Sequence, residues 1–365
     1  MTSATASSIE AVQDAVRSGQ PGMRLLPVAG ATKPALSSSL REDVEQLDLS
    51  GLSGILEYDP AELTLTALAG TPVREVAAAL AEHGQYLPFD PPFVAGGATL
   101  GGVVAAGASG AGAWRHGGVR DFVIGVRFVD GTGRLITGGG KVVKNAAGFD
   151  LPKLMVGSIG RLGVIVQLSF KVFPRPLETT TLEFGFDQLD QAVAAAIRLA
   201  RGPVELDALE IVPDANVLAR IGGRGDTLAP RAERLAGTLD VPASRHDGDR
   251  ERALWDDAAE LTWLPGGDTL ARVGLSIRQV TALHAQLAMI PGASARYGIG
   301  GTVAWIGWPP SQPIDLLDTI LSDLGLPGMV LIGPSDRPLL GPRTGGAFGT
   351  RIVQALDPNT RFLEV

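Results

Sequence analysis

Residues 89–121, FDPPFVAGGATLGGVVAAGASGAGAWRHGGVRD, are the stretch on which the fold depends. No charged residue lies between Pro91 and Trp114, so a membrane-spanning helix is the first interpretation to test. A spanning helix needs about 20 mostly apolar residues. Seven glycines interrupt the stretch before Trp114, and each glycine inside a helix costs about 1 kcal/mol relative to alanine. The stretch is therefore not a membrane helix.

Two interpretations of these glycines remain. Glycine lets main-chain N–H groups approach a ligand closely, and successive N–H groups can form a concave anion site. The stretch is then either a cradle for a phosphorylated cofactor or a tightly packed turn region without a ligand. The runs 99–102, TLGG, and 107–110, GASG, followed by the polar residues 115–121, favour the cradle.

The composition excludes several other classes of function. At 365 residues the chain is long enough for two domains, and its net charge of −8 argues against nucleic acid as a partner. Cysteine is absent, which excludes disulfides, iron–sulfur ligation by this chain, thiol catalysis and a cysteinyl flavin link. The four histidines lie far apart in the sequence, so no histidine-rich metal site is expected. No signal peptide is recognisable, and a cytoplasmic location is expected.

Apolar patterns predict an alternation of strands and helices. Residues 7–18 are predicted to form a helix, residues 54–58 and 63–67 paired strands, and residues 71–84 a helix that Thr71 caps. The Asp-Gly pair at 130–131 predicts a hairpin. Beyond the boundary PRP at 174–176, two strand–helix units predict a ferredoxin-like domain with an antiparallel sheet.

Two common nucleotide-binding motifs are not supported. The run GGGK at 138–141 fails as a P-loop because Leu135 and Val142 stand where glycine and Ser or Thr are required. No G-x-G-x-x-G follows a predicted strand, so a Rossmann nicotinamide site has no motif. The turn AGATK at 29–33 follows an apolar run and either holds a phosphate or is only a turn.

Three segments carry a resemblance to a known family. They are FDPPFVAGGATLGGVVAAGASG at 89–110, GGVRDFVIGVRFVDGTG at 117–133 and KVVKNAAGFDLPKLMVGSIGRLGVIVQLSFKVFPRP at 141–176. Together they resemble the FAD-binding domain of the vanillyl-alcohol-oxidase/PCMH superfamily, and within it the FAD-binding subunits of glycolate oxidase. The resemblance covers about the first 175 residues, with a weaker likeness in the last 25.

The resemblance implies an α+β fold. Residues 1–175 are expected to form a PCMH-type FAD-binding domain of two α/β subdomains. Residues 176–335 are expected to form a ferredoxin-like α+β cap that contacts the substrate or other subunits. Residues 336–365 are expected to return to the FAD domain.

The resemblance also implies a set of cofactor contacts. Thr32 stands where family members with a histidyl-linked flavin carry histidine, which implies non-covalent FAD. The residues expected to contact FAD are Gly30, Ala31, Thr32, Lys33, Gly97, Ala98, Thr99, Gly101, Gly102, Gly107, Ser109, Gly110, Gly112, Arg115, Ser158, Gly160, Gly163, Val164 and Ile165.

The catalytic residues are less evident than the cofactor contacts. Oxidation of a 2-hydroxy acid needs a base for the hydroxyl proton and a cation for the carboxylate, and the sequence offers no obvious base. His116 is a weak candidate, and Arg115 is either an anion contact or an ion-pair partner of Asp121. His246 and His284 are expected to be surface or helix histidines. The motif residues 144–145 and 150 either approach the flavin or stabilise a turn.

Three hypotheses of function therefore stay open. The first is an FAD-containing subunit of a glycolate (2-hydroxy acid) oxidase or dehydrogenase complex, with a catalytic FAD subunit and an iron–sulfur subunit as partners. The second is a self-sufficient FAD oxidase of an alcohol or hydroxy acid. The third is a non-catalytic structural subunit that keeps only the fold. None requires nucleic acid or a transmembrane segment, although partners would allow attachment to the inner membrane.

Overall fold

The structure is a computed structural model that describes residues 3–20, 22–39, 41–140, 149–333, 337–343 and 345–363. The chain divides into two compact units. The first unit contains residues 1–109, 117–174 and 344–365, and the second contains residues 110–116 and 175–343. The predicted residues Lys144 and Asn145 lie outside the described residues. No helix in the described ranges is both long enough and apolar enough to cross a membrane.

The first unit contains three small sheets. A parallel sheet has the order β1-β3-β2, an antiparallel sheet has the order β4-β5-β9-β7-β8, and β6 pairs with β10. The strands are β1 Ser3–Thr5, β2 Arg24–Val28, β3 Val44–Asp48, β4 Ile55–Asp59, β5 Thr64–Leu68, β6 Gln85–Tyr86, β7 Val123–Val129, β8 Leu135–Gly139, β9 Val164–Lys171 and β10 Phe173–Pro174.

The second unit is built on one nine-stranded sheet of the order β14-β11-β13-β12-β16-β17-β15-β18-β19. Its paired strands are antiparallel throughout. The strands are β11 Glu178–Phe184, β12 Ala208–Val212, β13 Asn216–Gly223, β14 Ala243–Asp247, β15 Thr269–Gly274, β16 Ser294–Gly298, β17 Val303–Trp308, β18 Gly328–Ile332 and β19 Leu339–Leu340.

The helices follow in chain order across both units. They are α1 Ile9–Ser18, α2 Pro34–Ser37, α3 Val73–Ala81, α4 Leu100–Ala106, α5 Ala113–His116, α6 Val119–Phe122, α7 Leu151–Met155, α8 Leu189–Ala200, α9 Gly225–Ala236, α10 Gly248–Glu260, α11 Val280–Leu287, α12 Ile314–Asp323 and α13 Gly346–Leu356.

The connectivity of the second unit repeats one motif twice. Strands β11 to β14 with α8 and α9 run βαββαβ in the spatial order β14-β11-β13-β12, and β15 to β18 with α11 and α12 run the same way. This is the ferredoxin-like topology, which the sequence predicted from two of its strand–helix units. The pairing of Ile211 with Tyr297 joins the two copies into one sheet.

Local signals in the first unit gave mostly correct predictions. Ser8 caps α1 by accepting a hydrogen bond from the Ala11 amide, and the Asp-Gly pair at 130–131 lies in the turn between β7 and β8. The prediction that Thr71 caps the next helix was wrong, because the N-cap is Pro72. The Thr71 hydroxyl instead donates to the Leu68 carbonyl and accepts from the Gly54 amide, so it ties the helix start to the preceding hairpin.

The glycine-rich stretch contains a helix that its glycine content did not suggest. α4 begins after Thr99, whose hydroxyl accepts a hydrogen bond from the Gly102 amide, and it ends at Gly107 in the left-handed conformation. Both ends thus carry helix-terminating residues of the expected kinds. Leu100, Val103 and Val104 are buried, so packing offsets the cost of the two glycines inside the helix.

The C-terminal residues close the first unit by contact with its N-terminal elements. Phe362 is buried in the same core as Val12 and Leu25, and Leu25 forms a parallel bridge with Phe362. The Arg361 side chain is 8% exposed. It donates to the carbonyls of Val16 at 3.0 Å and Met23 at 2.7 Å, near the end of α1.

Replacement of Arg361 by alanine is expected to destabilise the first unit. The loss of a charged donor leaves several buried carbonyls unsatisfied, and the expected decrease in the free energy of unfolding is about 3 kcal/mol. Urea denaturation followed by circular dichroism measures this change. The exposed Arg351 on α13 is the matched control, and its replacement by alanine is expected to cost less than about 0.5 kcal/mol. Equal unfolding midpoints for the two variants would contradict the structural role of Arg361.

Candidate functional site

Three separate segments of the first unit meet at one cavity of about 100 Å³. They are the turn after β2, the start of α4 and the turn before β9. The lining residues are Pro27, Val28, Ala29, Gly30, Ala31, Thr32, Lys33, Leu36, Ser37, Leu49, Ala69, Thr99, Gly101, Gly102, Ala105, Ala106, Ile159, Gly160, Gly163 and Ile165.

The turn between β2 and α2 presents main-chain N–H groups. Ala31 has a positive φ of 47°, which turns the chain sharply within residues 29–33. Within the part of the chain that the structure describes, the N–H groups of Gly30, Ala31 and Thr32 donate to no protein acceptor. Successive N–H groups in such a turn form a concave site for an anion.

Lys33 adds a positive charge beside this turn. Its side chain is buried, and the residue is 5% exposed. The ammonium group donates to the Thr32 hydroxyl at 3.2 Å and lies 5.4 Å from the centre of the Phe93 ring. A cation held in this position favours an anionic ligand in the cavity.

The second segment packs closely against the neighbouring main chain, and the amides of its two glycines have acceptors within the protein. The Gly101 amide donates to the Ala69 carbonyl at 2.8 Å, and the Gly102 amide donates to the Thr99 hydroxyl at 3.3 Å. The expectation of exposed amides in this segment is therefore wrong for these two residues. A Cβ atom at Gly101 would lie 2.9 Å from both the Cβ and the oxygen of Ala69, so glycine is required for packing here.

The first two segments touch each other at Gly30. A Cβ atom at this position would lie 2.1 Å from the carbonyl oxygen of Gly97 and 3.2 Å from the Thr99 methyl group. Real Cβ atoms do not approach backbone oxygen so closely, so only glycine allows the two turns to pack together. Gly97 does not itself line the cavity, but its carbonyl sets the distance between the two segments.

The third segment turns twice before β9 begins. Ile159 and Gly160 both have positive φ, at 43° and 77°, and a Cβ atom at Gly163 would lie 2.7 Å from the Phe128 ring. Ile165 lines the cavity, whereas Val164 is fully buried in the core. The Ser158 hydroxyl is buried and has no hydrogen-bond partner among the described residues.

Several of the predicted FAD contacts have other roles. Ala98 is buried, Gly107 ends α4, and the Ser109 hydroxyl accepts a hydrogen bond from the Val119 amide. None of these three lines the cavity. Gly110 and Gly112 belong to the second unit.

Arg115 and His116 also belong to the second unit, where Arg115 forms ion pairs with Asp207 and Glu205. The sequence left open whether Arg115 contacts an anion or pairs with Asp121, and the ion pairs of the described residues do not include one between Arg115 and Asp121. Burial, followed by the positive charge of Arg115, lowers the pKa of the His116 imidazole. His246 is likewise not a surface histidine: it lies on β14, is 2% exposed and contacts the Glu183 carboxylate at 2.7 Å.

Sequence reasoning missed several apolar and small residues that line the cavity. Leu36, Ser37 and Leu49 follow the first turn, and Ala105 and Ala106 lie on α4. The run of small residues at 105–108 was a usable signal, because small side chains on a short helix leave room for a ligand. Leu49 carries no such signal, since its distance from the cavity depends on the pairing of β3 with β2.

The cavity fits the diphosphate of FAD on three structural observations. The N–H groups of residues 30–32 have no protein acceptor, Lys33 supplies a positive charge, and the glycine at position 30 keeps the two turns in contact. The described residues contain no cluster of side chains suited to a metal ion.

Replacement of Gly30 by alanine is expected to weaken FAD binding at least tenfold. The added Cβ atom separates the two turns and moves the N–H groups of residues 30–32. Fluorescence titration of the apoprotein with FAD measures the dissociation constant. Gly140→Ala is the matched control, because a Cβ atom there meets nothing within 4 Å. An unchanged affinity in the Gly30 variant would exclude this turn from the binding site.

Comparison with known proteins agrees with the geometry. Residues 3–139 match the model of the FAD binding domain family. The glycolate oxidase subunit GlcE of Escherichia coli (strain K12) is 41% identical over 193 residues, which are 53% of this chain and 55% of the relative. D-2-hydroxyglutarate dehydrogenase of Xanthomonas citri is 32% identical over 57% of this chain and 44% of its own length. The chain thus spans about half the length of these relatives.

The solved structure of an alkyldihydroxyacetonephosphate synthase has the same fold. It superposes with a TM-score of 0.73 over 100% of this chain and 77% of its own, at 16% identity. At that identity the likeness concerns the fold alone. Residues 3–139 are thus similar to the FAD binding domain family, which indicates FAD as the cofactor.

Proposed function

We propose that this chain is the FAD-containing subunit of a glycolate (2-hydroxy acid) oxidase or dehydrogenase complex that passes electrons from glycolate to partner subunits. The observation that carries this proposal is the cavity in the first unit, whose main-chain N–H groups and lysine suit a diphosphate. It is supported by the 41% identity to a protein named a glycolate oxidase subunit. The similarity of residues 3–139 to the FAD binding domain family does not depend on this finer assignment.

Each segment around the cavity has a distinct task in the proposed complex. The N–H groups of residues 30–32 bind the diphosphate, and Lys33 neutralises part of its charge. The contact between Gly30 and Gly97 keeps the segments together, and Ser158 supplies a hydroxyl for a hydrogen bond. When bound, the flavin supplies a hydride acceptor for the oxidation of a CH–OH group. The proposed attachment of FAD is non-covalent, because the chain has no cysteine and because Thr32 stands where family members with a histidyl-linked flavin carry histidine.

The proposal includes two kinds of partner, a catalytic FAD subunit and an iron–sulfur subunit. The chain has no cysteine for an iron–sulfur cluster, so electron transfer through such a cluster requires another subunit. The complex is proposed to be cytoplasmic or attached to the inner membrane through a partner.

Replacement of Ser158 by alanine is expected to weaken FAD binding without lowering the stability of the apoprotein. The hydroxyl is buried without a partner, so its removal leaves the thermal midpoint of the apoprotein unchanged or raises it. We propose that bound FAD accepts a hydrogen bond from this hydroxyl, so the dissociation constant for FAD is expected to rise about fivefold. Ser18→Ala is the control, because Ser18 is exposed and its hydroxyl bonds only to the Asp14 carbonyl. A lower thermal midpoint with unchanged FAD affinity would contradict the assignment.

The absorption spectrum of the pure chain, recorded before and after anaerobic addition of glycolate, tests the proposed function. We expect a flavin spectrum that glycolate does not bleach in the isolated chain and does bleach when the catalytic and iron–sulfur subunits are present. Bleaching of the isolated chain would establish a self-sufficient oxidase instead. A colourless protein that FAD does not reconstitute would indicate a structural subunit.

A further inference from the structure

A second cavity of the first unit lies at the other end of β2 from the cavity proposed for the FAD diphosphate. It has a volume of about 470 Å³, which is within the range of sites for small organic molecules. The end of α1, the start of β2, the turn between β7 and β8 and residues 359–361 line it. Arg24 begins β2 and Val28 ends it, which puts the ends of this strand about 13 Å apart. Among the described residues, the two cavities have no lining residue in common.

The mouth of this second cavity is open to solvent. Gly22 in the loop between α1 and β2 is exposed, and a Cβ atom there would meet no other atom within 4 Å. Gln20 in the same loop is also exposed, and its side chain makes no hydrogen bond with the described residues. A small molecule can therefore enter from solvent without displacing the main chain.

The side chains that line this cavity carry a net positive charge. Arg17, Arg24 and Arg361 come from three separate segments. Among the described lining residues the only carboxylate is that of Asp43, and Arg41 binds it through two parallel hydrogen bonds at 2.8 and 2.6 Å. The charge of Asp43 is thus already compensated by Arg41. Three guanidinium groups therefore surround one cavity in a chain whose net charge is −8.

Two of these guanidinium groups are oriented by main-chain carbonyls. Arg17 donates from Nη2 to the Gly133 carbonyl at 2.9 Å and from Nη1 to the Asp14 carboxylate at 3.3 Å. A guanidinium group has five N–H donors, so three donors of Arg17 remain after these two bonds within the described residues. Arg24 donates from Nη1 to the Phe362 carbonyl at 3.3 Å. Both side chains are therefore held at the cavity, and Arg17 has donors to offer a ligand.

Arg361 contributes charge to the cavity rather than hydrogen bonds. Its donors point to the carbonyls near the end of α1. Burial lowers the pKa of its guanidinium group, because the charged form is removed from water. An anion in the adjacent cavity offsets this cost, since opposite charges attract more strongly where water is excluded.

We propose that this arginine-lined cavity binds an organic anion with more than one negative charge, either a polycarboxylate or a phosphate ester. Arg17 and Arg24 donate hydrogen bonds to the anionic oxygens, and Arg361 adds a positive charge behind them. A single small ion would fill little of the volume, whereas a larger anion reaches guanidinium groups on separate segments. The site is distinct from the cofactor cavity and does not depend on the proposed function.

Calorimetric titration of the full chain, saturated with FAD, tests this site with citrate and glycerol 2-phosphate as probes. Saturation with FAD occupies the first cavity, and the ionic strength is held constant because salt screens exposed charges. We expect saturable binding, and the probe that binds more tightly identifies the ligand as a carboxylate or a phosphate. Acetate carries one charge, and it is expected to bind at least tenfold more weakly than that probe.

Two variants of the lining separate this site from general attraction of anions. Arg17→Gln removes a charged donor and is expected to weaken binding of the tighter probe about tenfold. Arg198→Gln is its control and is expected to bind as the wild type does. Arg198 lies on α8 and pairs with Asp240, and its side chain is 55% exposed, compared with 51% for Arg17.

Gln20→Glu places a negative charge at the mouth without removing a hydrogen bond to the described residues. It is expected to weaken binding about fivefold, because like charges repel. Gln191→Glu makes the same change in net charge at an exposed position of α8, and it is expected to leave the affinity unchanged. If Arg17→Gln does not fold by circular dichroism, Gln20→Glu decides.

Four results would overturn the site. They are no saturable binding of either probe, equal affinity for acetate, unchanged affinity in both lining variants, and equal weakening in a variant and its control. Binding that disappears when FAD saturates the chain would place the probes in the cofactor cavity, which also refutes a second site.

Discussion

The close approach of two main chains at Gly30 is the constraint on which the cavity of the first unit depends. A side chain there would overlap the Gly97 carbonyl, whose oxygen lies 2.1 Å from the Cβ position. This contact brings the turn after β2 to the start of α4. The N–H groups of residues 30–32 then face a space that the third segment closes. The absence of a Cβ atom at Gly30 thus allows three distant segments of the sequence to form one site.

The glycines of this protein act in two physically different ways. Some are required by backbone conformation, as at Gly107, which ends α4 in the left-handed region. Others have ordinary conformations and are required only because something lies where a side chain would be, as at Gly30 and Gly101. The second kind shows where two segments of main chain must approach each other closely. At Gly101 the neighbour is Ala69, and at Gly30 it is the Gly97 carbonyl.

The parts of the fold that could be predicted are those that depend on neighbours in sequence. The Ser8 cap, the turn at 130–131 and the repeated strand–helix units all depend on contacts within a few residues. Residue patterns indicated the cavity segments at 29–33 and 99–102 as possible phosphate sites, whereas the third segment was recognised only through the family resemblance. The partners of individual polar groups could not be predicted from the sequence. Arg115 pairs with Asp207, which lies 92 residues away, and His246 contacts Glu183, which lies 63 residues away. Only the tertiary fold brings such groups together.

The Arg361 side chain donates a hydrogen bond to the Met23 carbonyl, 338 residues away in the sequence. This contact has a consequence for the order of folding during synthesis. The antiparallel sheet of the first unit and the whole second unit are complete in sequence before residues 361–363 leave the ribosome. Until residues 361–363 are synthesised, the end of α1 and the edge of β2 in the three-stranded parallel sheet stay uncovered. A nascent chain therefore holds this edge open while the rest folds, and unpaired strand edges are where chains associate wrongly.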